Sequence, residues 1–403
     1  STKNNMQEKV VVTGLGIISA IGLSTDETVK SLLSGVSGVG RISHLDTIHT
    51  EIPCAEVQMS DDELRKSLLI SADEVITRTS LLGIAAVKEA MRYASLNPDR
   101  KLRIGFISGT TVGGMEKSEA YYTDFISNDN HKEYIDAHDC GACTEKIADY
   151  FNCFGYVSTI STACSSAANA IILGSELIKN DILDVVVAGG TECLTKFHLN
   201  GFNTLMILDS RPCRPFDDSR AGLNLGEGAG YLVLESASVA RQRKAEVICT
   251  VSGYGNACDA YHQTASSPEG KGAVLAITEA LAMASLDPCQ VDYINAHGTG
   301  TGNNDMSEAQ ALVTVFGDKL PPFSSTKPFT GHTTSAAGGI ESVISILALR
   351  HGFLPNNLNF ETPMKDLPVV PLTAVNSKVS LKHVLSNSFG FGGNNSTIIF
   401  SRQ

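Results

Sequence analysis

The sequence has no run of about 18 apolar residues, the length a helix needs to cross a bilayer, so no transmembrane segment is expected in its 403 residues. It has no excess of basic charge either: 31 lysines and arginines stand against 43 aspartates and glutamates, a net charge of −12. Nucleic-acid binding calls for a basic stripe facing the phosphates, so no nucleic-acid partner is expected. An acidic protein partner would have to find a local basic patch on an otherwise repelling surface. The opening residues Ser1 to Gln7 are polar and lack the apolar core of a signal peptide. They read as a short disordered lead-in, and a soluble cytoplasmic protein is expected. Ten cysteines are scattered along the chain, and only Cys140-Gly-Ala-Cys143 forms a CxxC. It lacks a second pair or a histidine at zinc-finger spacing, so free thiols in a reducing compartment are expected, with no disulfide framework and no metal site.

What is present is glycine. Thirty-six glycines with only 18% charged residues suggest a compact body with many tight turns and close backbone contacts. The length suits two domains or one fused pair with a substantial core.

Strand-like and helix-like segments alternate, and the second part of the chain echoes the first. Lys9 to Thr13 runs into Gly14-Leu-Gly16, as Glu246 to Val251 runs into Gly253-Tyr-Gly255. Ile104 to Ser108 leads to a Gly/Thr loop, and Val291 to Asn295 leads to His297-Gly-Thr-Gly-Thr-Gly302. The helix expected after Cys164 has a counterpart after His332, and Glu227 to Glu235 matches Gly392 to Phe400. Four echoes in the same order indicate a duplicated α/β unit, with one half at 8–245 and the other at 246–403. The first half carries insertions, mostly between residues 110 and 160. Continuous apolar strands such as Val185-Val-Val-Ala188 suit sheets covered on both faces. In such a pair, equivalent helix N-termini can converge at the junction of the halves, where pockets commonly form.

Cys164 stands in Ser161-Thr-Ala-Cys-Ser-Ser-Ala-Ala168. Ala168, Ile171, Ile172, Leu173, Leu177 and Ile178 follow near helical spacing. The thiol is therefore expected at a helix N-terminus, where unpaired N–H groups and the helix dipole favour negative charge and lower a thiol's pKa. Most cysteines are small core residues, so this assignment leans on three further segments. Asn295-Ala-His297-Gly-Thr299-Gly-Thr301-Gly302 puts a histidine at a strand end before a hydroxyl-bearing glycine loop. Ser324-Ser-Thr-Lys327 and Gly331-His332 supply a cation and a second imidazole. Asn387-Ser-Phe389-Gly390-Phe391-Gly392-Gly393-Asn394 frees the backbone to turn sharply and present N–H donors.

Together these segments resemble the elongating β-ketoacyl-acyl-carrier-protein synthases, in order and from about Lys9 to Phe400. Arg214-Pro-Phe-Asp217, Gly226-Glu-Gly-Ala-Gly230 and Asp259-Ala-Tyr-His262 also look like signatures of that family. The resemblance implies an α/β fold of the thiolase type, two duplicated halves in a five-layered αβαβα arrangement, normally a homodimer. It implies that Cys164 attacks an acyl-thioester on the phosphopantetheine arm of an acyl carrier protein. Malonyl-carrier protein then loses CO2, and its enolate attacks the acyl-Cys164 carbonyl to give a 3-oxoacyl product. His297 and His332 would donate to the malonyl thioester oxygen, and Lys327 would set the local electrostatics. The backbone N–H groups of Cys164 and Phe391 would form the oxyanion hole, with Phe391 also a gate. Thr299 and Thr301 would bind pantetheine, while Val112, Phe202 and Gly390 would contact substrate. Glu308 and Glu341 would support Lys327 through hydrogen bonds. No cofactor is expected to reside in the protein.

The chain departs from the family pattern in places. Thr110-Thr111 precedes Val112, and Asn394 stands where threonine is usual. From Ile70 to Gly83, where relatives carry several cations that dock the carrier, it offers Arg78 amid Asp73 and Glu74. Lys101, Arg103, Arg211 and Arg214 are the other candidate docking residues. These departures leave open a specialised polyketide or aryl-polyene ketosynthase, in which a heterodimer with a related subunit is possible. A non-catalytic chain-length-factor-like subunit also stays open.

Overall fold

The computed structural model describes residues 8–98 and 101–403; the lead-in expected at Ser1 to Gln7 lies outside them. The described strands are β1 (Val10–Ser19), β2 (Val39–Gly40), β3 (Cys54–Ala55), β4 (Ile104–Gly109), β5 (Tyr156–Ile160) and β6 (Val185–Glu192) in the first part. They continue with β7 (Gly228–Ser236), β8 (Cys249–Cys258), β9 (Tyr293–Asn295), β10 (Phe323–Ser324), β11 (His383–Phe389) and β12 (Asn394–Ser401). The strands other than β2 and β3 run in the order β10-β9-β11-β12-β8-β1-β7-β6-β4-β5.

That order reads the same from both ends. β1-β7-β6 is antiparallel and β6-β4-β5 is parallel. β8-β12-β11 is antiparallel and β11-β9-β10 is parallel. The two five-stranded runs meet only where Val11 and Val12 of β1 pair with Thr250 and Cys249 of β8. Three of the echoes fall on equivalent strands, β1 with β8, β4 with β9 and β7 with β12, and the fourth on the helices Ser166–Lys179 and Ala337–His351. The extra length of the first part lies between β4 and β5. There the helices Met115–Ser127 and Cys140–Phe151 stand where the second part has one helix, Gly302–Phe316.

Hydrophobic pattern explains the layers. All eight residues of β6 are buried, as a strand covered on both faces requires. The helix Ala337–His351 is buried along Ala337 to Leu349, with no polar stripe left for water. It packs against the helix Ser166–Lys179, and this pair lies between the two halves of the sheet. The helix Arg78–Tyr93 covers β1, β6 and β7 from outside, and Lys271–Ala284 covers β8 and β12. The result is the five-layered helix–sheet–helix–sheet–helix arrangement.

Small residues let the central helices start close together. A Cβ on Gly338 would lie 2.6 Å from the backbone N of Ala168. Cys164 and His332 are thereby carried to one junction. At the other extreme, edge strand β5 is only partly buried, and the helix Met115–Ser127 buries no residue. All ten cysteines are free thiols. Among the described residues no helix is long and apolar enough to cross a membrane.

Gly338→Val is therefore expected to destabilise the fold by about 3 kcal/mol, the upper end for overpacking, seen as a lower urea midpoint. Gly141, whose Cβ would meet nothing within 4 Å, supplies the control: Gly141→Ala is expected to change stability by less than about 0.5 kcal/mol.

Candidate active site

Cys164 sits just before the helix Ser166–Lys179, whose N-cap is Ser165. The turn is tight: Ala163 has a φ of +52°, a left-handed conformation that costs a residue with a Cβ. Ser166 staples it, donating from Oγ to Ala163 O at 2.6 Å and accepting from Thr162 N at 2.9 Å. The backbone N–H of Phe391 donates to the Cys164 sulfur. A Cβ on Gly390 would sit 3.1 Å from Cys164 N and Thr162 O, so glycine lets the Phe391 turn come this near.

The expectation of a lowered thiol pKa is corrected. Burial pushes Cys164 up to about 11; Lys327 and the Phe391 N–H pull the other way, and Glu192 and Glu341 raise it further. The helix start faces a buried thiol, and loss of hydration outweighs the favourable charges.

Lys327 is buried and fully engaged. Its Nζ donates to both oxygens of Glu341 at 3.0 and 2.8 Å, to the His297 carbonyl at 2.6 Å and to His297 Nδ1 at 3.2 Å. An ammonium has only protons to give, so Nδ1 of His297 is an acceptor and its proton resides on Nε2. His332 is fixed in the same sense: its Nδ1 accepts the N–H of Thr334 at 3.2 Å. Burial, then Lys327, depresses both imidazoles well below the usual histidine value, with His332 adding to the effect on His297 and His198 to that on His332. Two neutral rings, 5.2 Å apart and nearly perpendicular, thus each carry an Nε2–H. Burial raises Glu341 while Lys327 opposes it.

One cavity of about 140 Å³ collects Cys164, His297, His332, Thr299, Thr301, Phe202, Gly390 and Phe391 along its wall. Phe202 lies 5.8 Å from Phe391, centroid to centroid. The hydroxyls of Thr299 and Thr301 pair at 2.8 Å. Two expected residues lie elsewhere. Val112 is buried outside the lining because Glu192 draws its loop inward, accepting the Val112 N–H at 3.0 Å. Glu308 does not bond Lys327. Its oxygens accept the N–H groups of His297 and Gly298 at 2.7 and 2.8 Å, and burial lifts it to about 7.

Comparison with known proteins matches residues 7–240 to the N-terminal domain of β-ketoacyl synthase and residues 248–361 to its C-terminal domain. The chain belongs to the β-ketoacyl synthase family. It is a condensing acyltransferase with relatives in two branches. The 3-oxoacyl-[acyl-carrier-protein] synthase 2 of Staphylococcus aureus (strain COL) is 31% identical over 413 residues, covering 99% of each chain. The solved ishigamide ketosynthase/chain length factor matches at a TM-score of 0.92 and 30% identity, over 98% of this chain and all of that one. A ketosynthase in complex with its chain length factor from Xenorhabdus doucetiae matches at 0.85 and 30%, over the whole of both.

Three basic residues considered for carrier docking are engaged in ion pairs in this synthase, two of them buried. Arg78 is buried, bonded to Glu227 at 2.6 Å and Asp61 at 2.9 Å. Arg214 is buried against Asp209 at 2.8 Å, and Arg103 pairs with Asp181 and Asp184. Arg211 is exposed. Asn394 belongs beneath the nucleophile: its Oδ1 accepts from Ser165, Asn169 and Asn256 at 2.7, 2.9 and 2.8 Å.

Two functional neighbours escaped sequence reasoning. His198 stacks on Phe202 at 5.4 Å and bears electrostatically on His332. Glu192, fully buried, ends the apolar strand β6 and bears on Cys164. A carboxylate closing an otherwise apolar strand was the available signal.

Iodoacetamide alkylation of Cys164 in the free synthase is expected to accelerate about tenfold per pH unit from 7 to 9, as thiolate forms below a raised pKa. Mass spectrometry of the adduct measures it; a rate already flat by pH 7.5 contradicts the burial account.

Proposed function

We propose that this synthase catalyses decarboxylative condensation of an acyl group held on Cys164 with malonyl-acyl-carrier protein. The observation that carries it is the pair of imidazoles lining the cavity that Cys164 shares, each with Nδ1 engaged as an acceptor and so with its proton on Nε2. The sulfur attacks the acyl thioester; the carbonyl–pantetheine bond breaks, and the pantetheine sulfur leaves with a proton. Malonyl thioester then enters, and the bond to its carboxyl breaks. The electron pair passes to an enolate whose oxygen is met by the two Nε2–H donors. The enolate carbon attacks the acyl-Cys164 carbonyl, and the Phe391 N–H, with that of Cys164, stabilises the tetrahedral oxyanion. Collapse releases 3-oxoacyl-carrier protein and restores the sulfur. Each donor aimed at developing charge is worth about 3–4 kcal/mol of barrier.

In this reading Thr299 and Thr301 bind the pantetheine arm, Phe202 and Phe391 bound the acyl group, and Glu308 and Glu341 hold His297 and Lys327. The arm arrives with its carrier, so the reading calls for no resident cofactor. Ten free cysteines favour a reducing, cytoplasmic setting. The junction of the two halves is read at residue 245.

A second reading, a specialised polyketide or aryl-polyene ketosynthase working with a related subunit, is favoured by a specific observation. The two solved relatives above are described with chain length factors. The half-open edge of β5 and the uncovered helix Met115–Ser127 suit a second chain, identical or related. A purely scaffolding role is disfavoured by the retention of Cys164, His297, Lys327 and His332.

Cys164→Ala is expected to abolish acyl transfer and condensation with circular dichroism unchanged. Cys164→Gln, which mimics the acylated residue, is expected to keep decarboxylating malonyl-carrier protein. Mass spectrometry of products from a ladder of acyl carriers reads both; condensation by Cys164→Ala at the normal rate would refute the assignment.

A further inference from the structure

Glu192 lies between the two halves of the site, and its carboxyl accepts hydrogen bonds from both. From the first half, Thr110 Oγ donates to it at 2.7 Å, Thr111 Oγ at 2.5 Å, and the backbone N–H groups of Thr111 and Val112 at 3.1 and 3.0 Å. From the second half, Thr334 Oγ donates at 3.2 Å and the Ser335 hydroxyl also bonds to it. The two backbone N–H groups can only donate, so those contacts use the Glu192 oxygens as acceptors.

Its second-half partners are the residues that need holding. Thr334 has a φ of +51°, which for a β-branched side chain is a true outlier. Such strain persists only where surroundings enforce it, and it gathers at functional sites. The same Thr334 supplies the N–H that occupies His332 Nδ1. We propose that Glu192 is a positioning residue of the condensation: by clamping Thr334 and Ser335 to the Thr110–Val112 loop, it holds the Thr334 N–H on His332 and so fixes the Nε2–H tautomer. The clamp also couples the first-half loop to an imidazole of the second half. Among the charged groups bearing on Cys164, Glu192 and Glu341 oppose Lys327 and the Phe391 N–H, so loss of the Glu192 charge acts on the thiol in the opposite sense to its effect on His332.

This inference rests on the condensing reading, and opposed signs make it testable in the full-length protein. Glu192→Gln is expected to lower malonyl-carrier decarboxylation about 10- to 100-fold, the usual range for a supporting partner of a reacting group. The same variant should move Cys164 alkylation by iodoacetamide to lower pH. A residue serving stability alone would depress both together, and that result, or decarboxylation within about twofold of wild type, overturns the proposal. Adding Thr334→Gly, which takes positive φ without strain, is expected to recover decarboxylation in part; no recovery also counts against it. If Glu192→Gln does not fold, Thr334→Ala substitutes, with a loss of about tenfold in decarboxylation and unchanged alkylation expected, and equal losses contradicting. A wild-type protein that decarboxylates no malonyl carrier refutes the condensing reading instead. Glu192 is then judged by the His332 ¹⁵N tautomer shift, expected to change in Glu192→Gln and contradicted if it does not.

Discussion

A buried ammonium governs this site. Lys327 is buried, and its charge is met by Glu341, by the His297 carbonyl and by His297 Nδ1. An unpaired buried charge is expensive, and breaking such a pair costs about 3–5 kcal/mol. The engagement therefore fixes geometry as well as charge. It keeps His297 neutral, puts its proton on Nε2, and discourages a proton from settling on His332. Two neutral donors then meet an enolate oxygen where imidazolium ions would have brought their own counter-charge.

The duplicated fold supplies the convergence. Each half ends its parallel strands at a helix start, and the central helix pair brings these starts together because Gly338 and Ala168 permit close approach. Cys164 comes from the first half; both imidazoles and the ammonium come from the second. The nucleophile gains its neighbours through this junction, and it also loses water there. The cost is a thiol held protonated at rest by burial.

Much of this was legible in the sequence because it leaves local marks. A cysteine before an apolar-periodic run, a histidine before a Gly/Thr loop and paired glycines after Phe391 each announce a turn at an element's end. The mirrored strand order was foreshadowed by four echoes in sequence order. What stayed hidden depends on distant partners. Glu192 meets Thr110 and Thr334 from 82 and 142 positions away, and nothing adjacent marks that. Arg78 looked like a surface cation until Glu227, 149 residues on, proved to hold it inside. Glu308 was read as a partner of Lys327, whereas the turn after β9 aims two backbone N–H groups at it. The Cys164 thiol was misjudged because a helix start is visible in sequence and the depth of its burial is not.

Nitrogen-15 NMR of the imidazoles in uniformly labelled protein at pH 7, assigned through His297→Gln and His332→Gln, tests the central claim most directly. Both rings are expected to be neutral with the proton on Nε2, and they should remain so as the pH falls through 6. A proton on Nδ1 of His297, or an imidazolium at either ring at pH 7, would contradict the account of Lys327.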